Sequence, residues 1–191
     1  MYKFIGLCLL AIGMSTTAYT QQKQDMNSLS SNHKILVAYF SATGTTARVA
    51  ERLAKAANAD LYAITPSEPY TNADLDWHDR QSRSSVEMND PKSRPAIKNV
   101  KENIADYDVI FLGYPIWWDL APRVVNTFLE SLDMKGQTVI PFATSGGSSI
   151  TNSVATLKRT YPELNWKEGR LLNSVNDSAL KEWIHKLGIL Q

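Results

Sequence analysis

The order of apolar and polar positions divides the chain into alternating strands and helices. Three apolar stretches carry most of the pattern: "KILVAYF" from residue 34, "DVIFLGYPI" from residue 108 and "GQTVIPFATS" from residue 136. Strands that are apolar without regular alternation are covered on both faces, as in a parallel sheet. The stretches "DLYAITP" from residue 60 and "EGRLLN" from residue 168 predict two further short strands.

Helical patterns follow the strands. After the first strand, "TTARVAERLAKAANA" places Val49, Leu53 and Ala57 on one stripe, with charged residues largely off it. The full set of predicted helices spans residues 45–59, 96–107, 121–133, 148–162 and 178–189. Alternation of strands and helices favours an α/β fold with a doubly wound parallel sheet and helices on both faces.

Two segments interrupt this alternation. The polar, irregular stretch from residue 67 to 95 is long for a loop in a small domain, so it needs a function or a local helix. At the N-terminus, Lys3 precedes the apolar run "FIGLCLLAIGM" and then small and hydroxyl residues. This pattern predicts a signal peptide over 1–20, followed by a polar linker over 21–33. Cys8 lies early in the apolar run, so a lipid-anchored form is the less favoured alternative.

Composition narrows the function classes. The chain has 191 residues and one cysteine, so removal of the signal leaves no thiol for a disulfide, a nucleophile or a zinc site. Lys3 is the only charged residue of the first twenty, which leaves 19 basic and 19 acidic residues. This balance argues against nucleic acid as a partner. The three histidines lack metal-ligand spacing, and we predict no metal site.

Three loops at the carboxyl ends of the strands are the candidate site, because ligands of parallel sheets bind at that edge. The loop 41–46 has four hydroxyl side chains around Gly44 at a helix start, where free amides and the helix dipole favour an anion. It matches neither the P-loop nor the dinucleotide-binding glycine pattern. A phosphate ester held without a lysine is therefore the prediction; a threonine-rich helix cap is the alternative.

The other two loops supply different chemistry. In the loop 114–120, Trp117 and Trp118 are adjacent at a strand end, where successive side chains point in different directions. At least one indole is therefore expected to line the crevice and stack on a flat heteroaromatic ring. The loop 144–149, "TSGGSS", offers backbone groups to a polar ligand edge; a flexible turn is the alternative.

Together these residues resemble the flavodoxin-like FMN-binding family over residues 34–190, and "FSATGTT" matches its phosphate signature. The chain is most similar to bacterial members with "GYPIWW" and an insertion like "DLDWHDRQSRSSVEMND". The resemblance implies a three-layer α/β/α fold, a five-stranded parallel sheet of order 2-1-3-4-5, and non-covalently bound FMN. The cofactor-binding residues that it implies are Ser41, Thr43, Gly44, Thr45 and Thr46, then Pro115, Ile116, Trp117 and Trp118, and finally Thr144, Ser145, Gly146 and Gly147.

The insertion adds Trp77, Arg83 and Glu87 as candidates on the substrate side. Their alternatives are a satellite hydrophobic contact for Trp77 and a surface ion pair for the other two. No residue is predicted to be catalytic. The resemblance implies a redox protein that passes electrons through FMN to a protein partner or a quinone-like acceptor. The signal-peptide pattern, which is rare among flavodoxins, predicts that the protein is exported to the periplasm. An FMN-dependent NAD(P)H:quinone-type reductase and a flavin-free interaction domain are the alternatives.

Overall fold

The computed structural model describes residues 33–134, 136–174 and 176–189, which belong to one compact unit. The predictions for the signal peptide and for the linker up to residue 32 lie outside the described residues. The strands are β1 (Ile35–Tyr39), β2 (Asp60–Ala63), β3 (Val109–Pro115), β4 (Thr138–Thr144), β5 (Asn165–Trp166) and β6 (Arg170–Leu171). The helices are α1 (Thr45–Ala57), α2 (Arg83–Asn89), α3 (Arg123–Glu130), α4 (Thr151–Thr160) and α5 (Asp177–Lys186), with a 3₁₀ turn at Ile104–Asp106.

The sheet has the predicted order. All pairings are parallel and run β2-β1-β3-β4-β5, and β6 also pairs with β4. The predicted fifth strand is thus two short segments beside the same neighbour. This topology confirms the three-layer α/β/α arrangement, since the helices cover both faces of the sheet.

Alternate residues of each central strand face the two helical layers. In β1, Leu36 and Ala38 join a core cluster that includes Phe128 of α3. Ile35 and Val37 join a second cluster on the other face, with helices α1 and α5. Every residue of β3 from Val109 to Tyr114 is buried, which explains why its sequence shows no polar alternation.

One predicted helix is wrong. The stretch 96–107 contains only the 3₁₀ turn, and Asn103 before it has a positive φ of 57°. Ile97 instead forms an antiparallel bridge with Pro66, supported by a hydrogen bond from the Lys98 amide to the Thr65 carbonyl at 2.8 Å. Val100 is 49% exposed between Ile97 and the buried Ile104, so the apolar stripe that would stabilise a short amphipathic helix is interrupted.

Two kinds of feature are absent from the described ranges. No helix there is long and apolar enough to cross a membrane. The same residues hold no group of three or more His, Cys, Asp or Glu side chains placed to bind a metal ion.

Candidate functional site

A cavity of about 470 Å³ lies at the carboxyl edge of the sheet. All three predicted loops contribute to it, together with the insertion that precedes β3. Its lining residues are Ser41, Ala42, Thr43, Thr45, Thr46, Leu75, Trp77, Ser84, Pro115, Ile116, Trp117, Trp118 and Gly146. The structure therefore brings nine of the thirteen predicted cofactor residues to one cavity; Gly44, Thr144, Ser145 and Gly147 lie outside its lining.

The first loop presents hydroxyls and an uncapped helix start. Gly44 is the N-cap of α1 with φ 84°, a left-handed conformation that favours glycine, and no side chain caps the helix. The first amides of a helix have no partner within it, so they can bind an anion. The first turn of α1 contains no acidic residue that would repel one.

Ser41 carries the clearest sign of a ligand. Its Oγ is buried, lies in a residue that lines the cavity, and has no hydrogen-bond partner in the structure. Buried polar atoms are nearly always paired, so an unpaired one in a cavity wall calls for a missing partner. An anionic or polar ligand in the cavity would supply that partner.

Arg48 is one of the charged residues that lie off the apolar stripe of α1. Its Nη2 donates to Thr45 Oγ1 at 3.4 Å, and its Nη1 lies 3.5 Å from where a Cβ on Gly44 would be. A guanidinium thus lies beside the hydroxyl loop. The sequence did contain a signal for this contact, because residues three apart on a helix, such as Thr45 and Arg48, lie on the same face.

Thr46 and Thr144 connect the first loop to the third. Their hydroxyls form a buried hydrogen bond of 2.8 Å that joins the first turn of α1 to the end of β4. Thr46 is 1% exposed and Thr144 is 4% exposed. Because both hydroxyls already have a partner, their main effect is to fix the position of one loop relative to the other.

The second loop contains a tight turn at the two tryptophans. Trp117 and Leu120 exchange backbone hydrogen bonds of 3.0 and 2.9 Å, and Trp118 and Asp119 between them have φ values of 46° and 62°. Positive φ at both central residues is the requirement of a type I′ turn. A bulky residue at positive φ is uncommon, and such positions cluster at ligand sites.

The two indoles have different surroundings. Trp117 packs edge-on against Phe40 and Tyr70, with ring centroids 5.5 and 5.2 Å apart. Trp118 is 44% exposed while lining the cavity. Trp117 is therefore held in an aromatic cluster, and Trp118 presents the more accessible ring.

Side-chain hydrogen bonds fix the conformation of the third loop. Ser145 Oγ accepts hydrogen bonds from the amides of Gly147 and Ser148 at 3.1 and 2.8 Å. The Asn173 side chain accepts from the Ser145 amide and donates to the Ser145 carbonyl, at 2.8 and 2.7 Å. Asn173 was missed from the sequence because it lies 28 residues away.

The insertion forms the remaining wall of the cavity through Leu75, Trp77 and Ser84. Trp77 is 67% exposed, and its ring lies 3.5 Å from that of His78. Ser84 Oγ is the second buried hydroxyl in the wall that lacks a partner. Only Trp77 of these three was named from the sequence; an isolated serine gave no comparable signal.

Arg83 and Glu87 are absent from the lining of the cavity, and their place on the substrate side stays a prediction. They form an ion pair of 2.7 Å on α2, and the Arg83 guanidinium lies 4.1 Å from the Tyr70 ring centroid. The Tyr70 hydroxyl donates to Glu87 at 2.5 Å. Burial, followed by the Glu87 carboxylate, raises the pKa of Tyr70. These residues attach the insertion to the aromatic cluster.

The donor set fits a ligand that carries both a phosphate monoester and a flat aromatic ring. Hydroxyls, free amides and a guanidinium suit the phosphate, while indoles and Ile116 suit a flat ring. A parallel sheet of order 2-1-3-4-5 with a hydroxyl-rich loop at the carboxyl end of its first strand places this chain in the class of flavodoxin-like proteins.

Comparisons with known proteins agree with this class. A family model described as Flavodoxin matches residues 34–187. A candidate flavoprotein from Bacteroides eggerthii DSM 20697 is 67% identical to this chain, with a TM-score of 0.81. The match covers 82% of this chain and 99% of that one. A candidate flavoprotein from Bacteroides uniformis ATCC 8492 is 57% identical, with a TM-score of 0.78, and that match covers 80% of this chain and 98% of the other.

A more distant structure shares the fold. A flavoprotein in complex with FMN from Lactobacillus acidophilus NCFM has 23% identity and a TM-score of 0.65, over 80% of this chain and 99% of that one. No curated protein matches the chain significantly. Since the family model spans most of the sequence, the chain belongs to the flavodoxin family.

The Thr46–Thr144 bond gives a prediction about stability. Thr46→Val and Thr144→Val are each expected to lower the free energy of unfolding by about 1 to 3 kcal/mol, because each leaves one buried hydroxyl without a partner. The double variant should lose less than the sum of the two. Urea unfolding measures all three, with the exposed Thr45→Val as the control, expected within about 0.5 kcal/mol of the parent. Strict additivity would contradict the coupling.

Proposed function

We propose that this protein binds FMN non-covalently and transfers electrons through it. The observation that carries the proposal is the buried, unpaired Ser41 Oγ in the loop before the uncapped start of α1, in a cavity that is also lined by three indoles. Family membership and the FMN complex of a flavoprotein of the same fold support it. The "GYPIWW" loop and the insertion are our basis for placing the chain in a bacterial subgroup of the family.

The phosphate would bind in the first loop. Ser41, Thr43 and Thr45 provide hydroxyls from the cavity wall. The amides at the start of α1 provide the oriented donors that a doubly charged ester needs, and Gly44 lets the backbone approach it. Arg48 adds a positive charge next to Thr45, so the loop needs no lysine.

The flavin ring would lie against the second loop. Pro115, Ile116, Trp117 and Trp118 line this side of the cavity. We assign the stacking contact to Trp118, because Trp117 already packs against two aromatic rings. Gly146 of the third loop faces the same cavity, and Thr144, Ser145 and Gly147 hold that loop in place.

FMN supplies the redox chemistry when bound, since it accepts one or two electrons. The chain's own residues bind it, orient it and limit the access of water. The insertion contributes to the last role, since Leu75, Trp77 and Ser84 form one wall of the cavity.

Replacement of Ser41 tests phosphate binding. Ser41→Ala is expected to raise the Kd for FMN by about tenfold or more, because a hydrogen bond to a charged group is lost. The Kd for riboflavin, which lacks the phosphate, should stay unchanged. Both constants are measured by titration of the apoprotein, with flavin absorbance as the signal.

The control is Ser149→Ala, an exposed serine outside the cavity lining, which should leave both constants as in the parent. Equal weakening of FMN and riboflavin would contradict the phosphate role of Ser41. Failure of the parent protein to bind either flavin would favour the flavin-free interaction domain.

A reductase is the second candidate, because the insertion walls the cavity and Trp77 in it is largely exposed. An exposed aromatic ring there could contact a planar substrate. Against this, the sequence has no dinucleotide-binding glycine motif. The carrier therefore remains our first proposal, with a redox protein or a quinone-like molecule as acceptor.

Mixing the FMN-loaded protein with a reduced nicotinamide distinguishes the electron carrier from the reductase. For a carrier, NADH or NADPH added without oxygen should leave the flavin absorbance of the FMN-loaded protein unchanged for minutes. Rapid bleaching would overturn the carrier proposal in favour of the reductase. Reduction by dithionite serves as the positive control in the same cuvette.

We further propose that the protein is exported to the periplasm, on the basis of Lys3 and the apolar run that follows it. When the full chain is expressed in a Gram-negative host, osmotic shock should release a protein that lacks roughly the first 20 residues by mass. Recovery of the uncleaved chain in the cytoplasm would contradict export. A membrane-bound form with a lipid on Cys8 would instead identify a lipoprotein.

A further inference from the structure

A second cavity, of about 450 Å³, is lined by arginines and neutral polar side chains. We call it the arginine cavity. Its lining residues are Pro91, Arg94, Leu120, Ala121, Arg123, Asn126, Asn152, Ser153, Thr156, Leu157, Arg159 and Thr160. It shares none of these residues with the first cavity, and none of the described residues that line it is acidic.

Arg123 is the buried member of this set. It is only 8% exposed, and its hydrogen bonds go to the backbone carbonyls of Met88 and Glu87, at 2.9 and 3.4 Å. Neither carbonyl carries a full charge, and Arg123 has no ion pair with a carboxylate among the described residues. A buried guanidinium is costly unless a counter-charge lies near it. Burial, and then the charge of Arg94, lower the pKa of Arg123.

Arg94 has its own carboxylate. Its Nε and Nη2 donate to the two oxygens of Glu130 at 2.7 Å each. The hydrogen bonds from Arg94 lower the pKa of Glu130, which keeps that partner ionised. Asp90 also interacts favourably with Arg123 but, like Glu130, lies outside the cavity lining. Glu130 is therefore committed to Arg94 and does not neutralise the other two arginines.

Arg159 completes the cluster from α4. Among the described residues, its guanidinium has one hydrogen bond, to Thr156 Oγ1 at 3.5 Å, which is weak, and the residue is exposed. Asn152 and Thr156 place an amide and a hydroxyl on the same wall. The cavity thus combines three guanidiniums with neutral hydrogen-bonding groups, and among the described residues only that of Arg94 has an ion pair with a carboxylate.

We propose that the arginine cavity binds a small oxyanion, either a carboxylate or a phosphate. Guanidinium groups bind both in planar, two-point geometry, and the neutral amides and hydroxyls can donate to the remaining oxygens. The start of α3, which has no side-chain cap and no acidic residue in its first turn, adds the positive end of a helix dipole beside Arg123. The site is separate from the proposed FMN site.

The arginine cavity also touches the loop that carries the two tryptophans. Leu120 lines it and closes the turn with Trp117, and Asn152 Nδ2 donates to the Asp119 carbonyl at 3.3 Å. An anion bound in the arginine cavity would therefore lie next to Leu120 and Asn152, which form hydrogen bonds with the tryptophan turn.

Calorimetric titration tests the site. The purified protein, with excess FMN present, is titrated with sodium phosphate and separately with sodium succinate, at an ionic strength held constant with sodium chloride. We expect one equivalent to bind. Arg159→Gln should weaken binding by about tenfold, because it removes a charged donor from the cavity.

Lys158→Gln is the matched control. It removes the same charge one residue away on α4, outside the cavity lining, and should change binding less than twofold. Arg159 is chosen over Arg123 because the hydrogen bonds of Arg123 to α2 support the fold. Binding of phosphate alone, succinate alone or both identifies the preferred oxyanion. The proposal would be overturned if neither anion binds, or if the two variants weaken binding equally.

Discussion

Parallel pairing of β1, β3 and β4 is the constraint on which the site depends. Tyr39 pairs with Gly113, and Pro115 pairs with Thr144, so the three strands end at one edge of the sheet. Each loop then begins where the backbone hydrogen bonds of its strand stop. Close packing supports the register, because a Cβ added to Gly113 would lie 2.2 Å from Cζ of Phe142. The hydroxyl loop and the tryptophans are thus neighbours as a result of strand order, although they lie about 70 residues apart.

Polar contacts help to fix the insertion to this core. The Arg83–Glu87 ion pair and Tyr70 join α2 to the aromatic cluster around Trp117. Arg123 joins the far end of α2 to α3 through the carbonyls of Glu87 and Met88. A change in α2 would therefore reach both cavities. Partly buried polar contacts of this kind hold a short helix that has too few apolar residues to anchor itself.

The sequence was a good guide where a pattern is local. The three buried strands and helices α1, α3, α4 and α5 follow from runs and periods of a few residues, and the hydroxyl loop follows from a short signature. The stretch 96–107 shows the limit of that approach. Its pattern is compatible with a helix, but pairing of Ile97 with Pro66 offers the backbone another set of hydrogen bonds. Competition with a distant segment cannot be read from a local period.

What the sequence by itself determined is the fold class, the position of three ligand loops and the residue types in them, because strand and loop signals depend on neighbours in the chain. Tertiary structure alone decided which of these residues share a cavity. It left Arg83 and Glu87 out of the cavity lining, brought Ser84 into it, placed Arg48 beside Thr45, and joined Ser145 to Asn173 by hydrogen bonds. It also assembled the arginine cavity from α3, α4 and the insertion. The physical reason is that side-chain partners are set by packing between elements, and packing distances bear no relation to separation along the chain.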